Sequence, residues 1–432
     1  MDTIQAWTVI PFVIMLLLIA LAPLIAGKFW DNNRNKFICT LVVAVPTAVY
    51  LICAGLGGEL EEQLLGDYIP FIILLLSLFV VTGGICISGN IKATPAVNCK
   101  VLASGFVLAS FMGTTGASML LIRPLLEINR QRTHKAHTVL FFIAMAANAG
   151  GILTPLGDPP LFLLYLRGAP FNWFSGLLPE WLFTGICLLV AYYIWDSVMF
   201  KKEPQSATQL DSAVRKSVRV SGMINFVWLA AIMLSVIFIN GHYIPAIAEQ
   251  DSMLVVRYLR ELVLVLIIVL SLATTKSEVR KDNSFSWSPI VEVAILFAGI
   301  FTTMTPALLY LSGHASNLGL SEPWHFYYCT GFLSSFLDNS PTAVAFHSVA
   351  SGLYTEALPG FVAGIPEVLL KAISLGAVFF GAMTYIGNGP NFMVKAIAEQ
   401  SGVRMPGFFG YMLKFSFIVL LPIYILVQLI FL

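Results

Sequence analysis

Residues 154–163 read TPLGDPPLFL, and residues 384–393 read TYIGNGPNFM; each interrupts a long apolar run. Thr154, Gly157, Pro160 and Phe162 of the first align with Thr384, Gly387, Pro390 and Phe392 of the second. Proline removes a backbone donor and crowds the preceding turn, and glycine admits torsions that a helix does not use. A helix crossing these segments should break. Inside a bilayer the freed N–H and C=O groups are tolerated only where they face protein or a wet cavity. Two such breaks therefore predict two places where backbone groups are offered to an ion or a solute.

The apolar runs around them set the class. The chain has 432 residues, 58% of them hydrophobic and 11% charged, with a mean hydropathy of +0.85. Soluble domains carry about 25% charged residues, so lipid must cover much of this surface. The net charge of +1 gives no reason to expect nucleic acid as a partner. Six scattered cysteines show no CxxC or Cys/His spacing, which argues against a disulfide framework or a cysteine metal centre. The N-terminus has neither a basic region nor a small-residue cleavage site, so residues 7–26 are read as the first span rather than as a signal peptide.

A crossing helix needs about 20 mostly apolar residues. Ten stretches qualify: 7–26, 37–56, 68–89, 138–168, 174–196, 222–240, 257–274, 288–312, 364–390 and 406–432. Two others, 101–122 and 324–350, are interrupted by small and polar residues. Loop charges orient them. Lys28, Arg34 and Lys36 place the first loop inside; Glu59, Glu61, Glu62 and Asp67 place the next outside. Lys92 and Lys100 precede 101–122, and Arg123, Arg130, Arg132 and Lys135 follow it. A segment with both ends inside cannot cross, so 101–122 is expected to be a re-entrant hairpin. In the second half, cations at 201–219 and 276–281 lie inside, whereas Glu322, Glu356 and Glu367 flank 324–350, which enters from outside. Arg257 and Arg260 fall on the external side against this pattern. The N-terminus is expected outside and the chain in the cell (inner) membrane.

Each half thus holds five crossings and one hairpin, and an odd number of crossings inverts the second copy. The hairpins align as well: SFMGTTGAS at 110–118 meets SFLDNSPTA at 335–343. The expected organisation is an all-α polytopic membrane protein of two inverted repeats, 1–200 and 221–432, joined by a cytoplasmic linker at 201–220. The broken helices span about 138–168 and 364–402. Inverted repeats with broken helices near the midplane are a signature of secondary transporters.

The polar residues at these places are the candidate ligands. The first hairpin tip offers Thr114, Thr115 and Ser118; the second offers Asp338, Asn339, Ser340 and Thr342. Thr154, Thr384, Asn388 and Asn391 lie in the breaks, and Asn148 just precedes the first. Hydroxyl, amide and carboxylate oxygens suit Na⁺ better than a soft metal. Asp158 and Asp338 stand out, because a carboxylate near the membrane centre costs roughly 2.5–3.5 kcal/mol on insertion scales. Low dielectric disfavours the charged form of a carboxyl, which suits both to carry protons. The competing reading for each is an aspartate that caps a half-helix. Glu292, after Pro289, is a further proton-carrying candidate, and His347 is expected to be a packed histidine. Arg123, Lys371 and Lys414 read as residues that snorkel at helix ends.

With NAGGILTPLGDPP at 148–160, FLDNSPTAV at 336–344 and GNGPN at 387–391, the chain resembles the NhaD-type Na⁺/H⁺ antiporters of the ion transporter superfamily, relatives of citrate transporters and arsenite permeases. The resemblance implies a transport domain of two hairpins and two broken helices moving against a scaffold of the first three helices of each repeat. It also implies a homodimer working as an elevator. Asp158 and the Asp338-Asn339 pair are the residues it carries over. Pro159-Pro160 and Asn388 depart from its pattern. The expected activity is exchange of Na⁺ or Li⁺ against H⁺ by alternating access, with no cofactor. The alternative is a Na⁺- or H⁺-coupled carboxylate symporter or an arsenite-type anion permease. A channel fits inverted repeats poorly, and no nucleophile–base pair or metal motif suggests an enzyme.

Overall fold

The computed structural model describes residues 4–205, 216–247, 253–354 and 359–432, and these are mostly helical. The first half supplies α1 (Ile10–Ile25), α2 (Asn33–Cys53), α3 (Gly57–Thr82), strand β1 (Cys86–Asn90), α4 (Pro95–Met112), α5 (Thr114–Ile128), α6 (Ala136–Met145), α7 (Pro159–Leu166) and α8 (Leu178–Phe200). The second supplies strand β2 (Lys216–Ser221), α9 (Ile224–Phe238), α10 (Leu259–Thr274), α11 (Ser288–Gly313), α12 (Pro323–Phe336), α13 (Asn339–Leu353), α14 (Glu367–Phe380), α15 (Gly389–Gln400) and α16 (Phe408–Phe431).

Eight helical stretches among the described residues are long and apolar enough to cross a membrane. Their outer faces carry exposed side chains such as Val42, Ile186, Ile194 and Leu429, a surface for lipid rather than water. The chain is a multi-pass α-helical membrane protein. The two helices expected to break, 138–168 and 364–402, end their first arms with α6, 10 residues, and α14, 14 residues. At 1.5 Å per residue, α6 rises roughly 15 Å, half of a bilayer core of about 30 Å.

Each of the two interrupted stretches forms a helix–turn–helix, with longer arms than the expected hairpins. Thr94 caps α4, its hydroxyl accepting from Val97 N–H with Pro95 at the first turn, which starts the first arm well before residue 101. The arms α4 and α5 join through Gly113, whose φ of 81° is left-handed. The second hairpin starts at Pro323 with a capping box on Glu322 and turns at Leu337-Asp338. Glu356, expected to flank it, lies outside the described residues, as does most of the linker, 206–215.

The linker's far end shows a correction. Residues 86–90, expected as the end of span 68–89, form β1 and pair antiparallel with β2: Cys86 with Ser221, Ile87 with Val220, Ser88 with Arg219. Gly83-Gly84 ends α3, and Gly89 lets the strands close, since a Cβ there would lie 2.7 Å from Val218 Cα. Asn225 locks the corner by donating to Gly84 O at 2.9 Å and Thr275 Oγ1 at 2.8 Å. Five residues, the fourth a glycine, carry too little alternation for a strand to be read from sequence.

Buried apolar side chains fall into two clusters. One joins α1, α3, α9, α10 and α11 through residues such as Phe12, Phe71, Ile232, Leu264 and Phe301. The other joins the hairpins, the broken helices, α8 and α16 through Phe106, Phe142, Tyr192, Phe326, Phe379 and Tyr424. Leu156, Phe162, Leu163 and Val344 are the members of the first cluster that come from the hairpin and break elements.

Candidate functional site

The two helices break at equivalent residues and for the same local reason. After α6 comes a 3-10 turn, Ala149–Leu153, then extended Thr154 and Asp158, before Pro159 starts α7. After α14 comes Gly381–Met383, then extended Thr384 and Asn388, before Gly389-Pro390 starts α15. Each threonine hydroxyl repairs its break. Thr154 Oγ1 accepts from Leu156 N–H and Thr384 Oγ1 from Ile386 N–H, both at 3.2 Å. Each also donates to a hairpin carbonyl, that of Ser110 and of Ser335. Those serines donate back, to Gly150 O and Phe380 O. Glycine is required at both crossings. A Cβ on Gly157 would sit 2.6 Å from the Gly151 carbonyl carbon, and one on Gly387 2.6 Å from Ser334 O.

Asp158 stands where these elements meet. It occupies the cap position of α7 yet makes no capping bond to that helix. Its Oδ1 accepts from Thr114 Oγ1 at 2.6 Å and Asn388 Nδ2 at 3.3 Å, and its Oδ2 from Asn339 Nδ2 at 2.5 Å. Thr114 and Asn339 hold the same place in the two hairpin tips, and Asn388 is the second break's counterpart of Asp158 itself. The carboxylate is 1% exposed. Among the described residues, no Lys, Arg or His bonds to it or to its three donors. Four helices, α5, α7, α13 and α15, begin within this cluster, and their positive N-terminal ends stand in for a cation.

A further set of amides fixes the donors. Asn388 Nδ2 also reaches Ala147 O and Asn148 Oδ1; Asn148 Nδ2 donates to Asn391 Oδ1 at 2.7 Å; and Asn391 Nδ2 donates to Gly381 O and Thr384 O. Asn148, Asn388 and Asn391 thus tie one break to the other. Thr114 N–H donates to Gly157 O at 2.8 Å, seating the first hairpin tip on the first break.

The remaining sequence candidates lie apart from these contacts. Asp338 is the capping aspartate of the pair: its Oδ1 accepts from Ser340 N–H at 3.0 Å, and Thr342 Oγ1 donates to its backbone carbonyl. It directly precedes Asn339, the donor from the second hairpin tip to Asp158. Ser118 is buried without a side-chain partner. Thr115 lines a cavity against α3 and α11, one helical position and so about 100° on from Thr114. Glu292 is held elsewhere, its Oε1 2.7 Å from Lys36 Nζ across α2 and α11. His347 packs with Nε2 on Ala363 O. Lys371 does not snorkel: it pairs with buried Glu180 at 2.6 Å. Arg260, awkward for the expected topology, is paired to Glu261 and stacked over Phe162 and Tyr165.

One cluster was not anticipated. At the base of the first hairpin, Arg132 brackets Asp196 with Nη1–Oδ2 at 2.9 Å and Nη2–Oδ1 at 2.6 Å, and His137 Nε2 adds a contact at 2.7 Å. Glu203 accepts from the N–H groups of Thr133 and His134, each at 2.8 Å. The available signal was a carboxylate, Asp196, inside an apolar span.

A family model described as "Putative citrate transport" matches residues 1–432. An uncharacterized transporter of Methanocaldococcus jannaschii, MJ0672, is 22% identical over 313 residues, covering 70% of this chain and 66% of its own length. Two uncharacterized transporters of Mycobacterium tuberculosis, MT2759 and Rv2685, are each 25% identical over 267 residues, covering 60% of this chain and 58% of theirs. The chain therefore spans between 58% and 66% of the length of these relatives.

Proposed function

This chain belongs to the citrate-transport family whose model it matches from end to end, and from that premise we propose that it is a cation-coupled secondary transporter exchanging Na⁺ or Li⁺ for H⁺ at Asp158. It is a transporter rather than an enzyme. The observation that carries the exchange reading is the Asp158 carboxyl, buried with no basic partner among the described residues and held by equivalent residues of both hairpins, Thr114 and Asn339. A carboxylate so placed binds either a proton or a small hard cation, and competition between them couples the two fluxes. Asp338, next to Asn339 in the second hairpin tip, is a second carboxylate. Thr114, Asn339 and Asn388 contribute hydroxyl and amide groups that reorient between the two bound states.

The shared contacts of Thr154 with Ser110 and of Thr384 with Ser335 support an inverted duplication. The division of the buried side chains into two clusters supports an elevator, in which the hairpins, breaks, α8 and α16 move against α1–α3 and α9–α11. A homodimer in the inner membrane, N-terminus outside, completes the reading.

A second reading is cation-coupled uptake of citrate or another carboxylate. It is favoured by the four helix N-termini that converge on the cluster, a field suited to an anion once Asp158 is neutralised. Proteoliposomes separate the two. Exchange requires that a Na⁺ or Li⁺ gradient drive proton flux without any carboxylate present. Citrate accumulation with no cation-driven proton flux overturns it.

A further inference from the structure

Two cavities, of about 80 Å³ and about 30 Å³, share Phe79, Thr115, Gly116 and Pro289. The larger is bounded at its inner end by Thr114, Leu156, Gly157 and Pro159, the backbone that carries Asp158. The smaller ends at Asn283, Ser284 and Phe285, in the loop that follows the basic run Lys276–Lys281. Both have room for water. Together they trace a line from the basic face of the protein to the first hairpin tip. One wall is α5 of that hairpin; the other is α3, the start of α11 and the 283–286 loop.

The narrow part is built around one ring. Phe285 lies over Gly83, where a Cβ would come 2.7 Å from its Cε2. It packs on Phe79 at 5.3 Å and Trp287 at 5.2 Å between centroids, with the Arg280 guanidinium 5.2 Å above it. Arg280 is itself fixed, donating to Val80 O at 2.7 Å and Ser271 Oγ at 3.0 Å. The turn that aims the ring inward places Ser284 at φ 53°, a left-handed conformation that a non-glycine residue holds only when its surroundings enforce it. Across the gap, Arg123 of α5 donates to Asn283 O at 3.2 Å. The plug is thus anchored to α3 and α10, and the hairpin wall facing it is held to the loop by a hydrogen bond.

We infer that this cleft is the ion's route between the basic face and Asp158, with Phe285 as its gate and Thr115 as the hydroxyl that hands a partly dehydrated cation to the tip. Thr115 lines both cavities, and the side-chain contacts to Asp158 are made by Thr114, Asn339 and Asn388. The route rests on the cation-exchange reading for what passes, and on geometry alone for where it passes.

The test is Thr115→Cys in the full chain with its six cysteines changed to serine, reconstituted in vesicles. Ag⁺, a thiol-reactive cation close to Na⁺ in size, is added in nitrate buffer. Modification is read as loss of maleimide labelling after denaturation, with Lys276→Cys as the reference for sidedness. Ag⁺ should reach Thr115→Cys from the Lys276→Cys side and be slowed by Na⁺. Phe285→Ala should accelerate it roughly fivefold, the change that loss of an aromatic contact produces. Access only from the opposite side, or a rate that Phe285→Ala leaves unchanged, overturns the route. Acceleration by Phe285→Ala with no protection by Na⁺ or Li⁺ upholds the route and counts against cation exchange. If the cysteine-free chain fails to insert, flux in the native background decides. Phe285→Ala should raise, and Phe285→Trp lower, the initial rate of cation entry from the basic face; equal rates in both variants overturn the gate.

Discussion

Replacing Asp158 by Asn is the substitution that bears most directly on the site. Size is kept, but the charge and one acceptor are lost. In the native arrangement both oxygens accept, one from Asn339 and the other from Thr114 and Asn388. The amide that replaces the carboxylate has a single oxygen, so its NH₂ must face at least one of those donors. A lost hydrogen bond to a charged group is worth about 1.5–3 kcal/mol, offset in part because a buried charge no longer has to be desolvated. The folded protein should survive with a modest loss of thermal stability. Transport should not. Two unit charges 4 Å apart at an effective dielectric of 20 attract by about 4 kcal/mol, which corresponds to roughly a thousandfold in cation affinity. The assay is Na⁺-driven proton flux in proteoliposomes containing a pH-sensitive dye, over a range of Na⁺, with size-exclusion elution and a melting curve to show that the variant is folded. Exchange should vanish at every accessible Na⁺ concentration. A folded Asp158→Asn variant with near wild-type Na⁺ dependence would refute the assignment of Asp158 as the shared cation and proton site.

Further outcomes follow from the same geometry. Asp338→Asn keeps an equally good helix cap but loses the charge, so it should leave stability unchanged and weaken cation dependence, whereas Asp338→Ala should also cost about 1 kcal/mol of stability as its cap is lost; equal melting of the two variants contradicts the capping role. Gly157→Ala and Gly387→Ala place a Cβ on backbone atoms and should not yield folded protein, while Gly389→Ala, with nothing within 4 Å, should be silent by fluorescence-detected size exclusion. Lys371→Met strands the buried Glu180 carboxylate and should cost about 3–5 kcal/mol, most of it recovered in the double variant with Glu180→Leu; simple additivity of the two changes refutes the pairing. Burial pushes the Glu203 carboxyl up, but the N–H groups of Thr133 and His134 and the Arg132 guanidinium outweigh this and hold it below its ordinary value of 4.5. Its stabilisation is present above that value and lost as pH falls through the lower folded-state value. Glu203→Gln should therefore flatten the acid limb of the melting temperature against pH, and an unchanged acid limb refutes the contribution.

The paired breaks were legible because Gly and Pro falling together inside an apolar run interrupt a helix, and because each break recurs with its hairpin. The convergence of Thr114, Asn339 and Asn388 on Asp158 was half legible. The residues were singled out, but sequence could not say that equivalent positions of two hairpins would share one carboxylate. Nor could it separate the two aspartates, one capping its own helix and the other bound across elements. That distinction depends on which N–H lies within reach, a tertiary fact. Thr115 illustrates the limit: next to Thr114 at a helix start, it must point elsewhere, since adjacent helical residues diverge by about 100°. The first break begins at Ala146, ahead of the TPLGDPP motif, because residues 146–153, apart from Asn148, stay apolar or small through it, and the β1–β2 ribbon was too short to leave a pattern. Glu180 and Asp196 were passed over because single acids in long apolar spans draw less notice than motifs.

The ribbon between β1 and β2 also bears on the linker. It pins the exit of α3 directly to the entrance of α9, and Asn225 fastens the same corner. The ribbon therefore holds the start of the second half against the first independently of the chain that joins residues 205 and 216. A gene split at that point would encode two polypeptides that still present matching strand edges and complementary apolar faces. The two halves should reassemble when co-expressed, and failure of the halves to co-purify would show that the covalent join is needed.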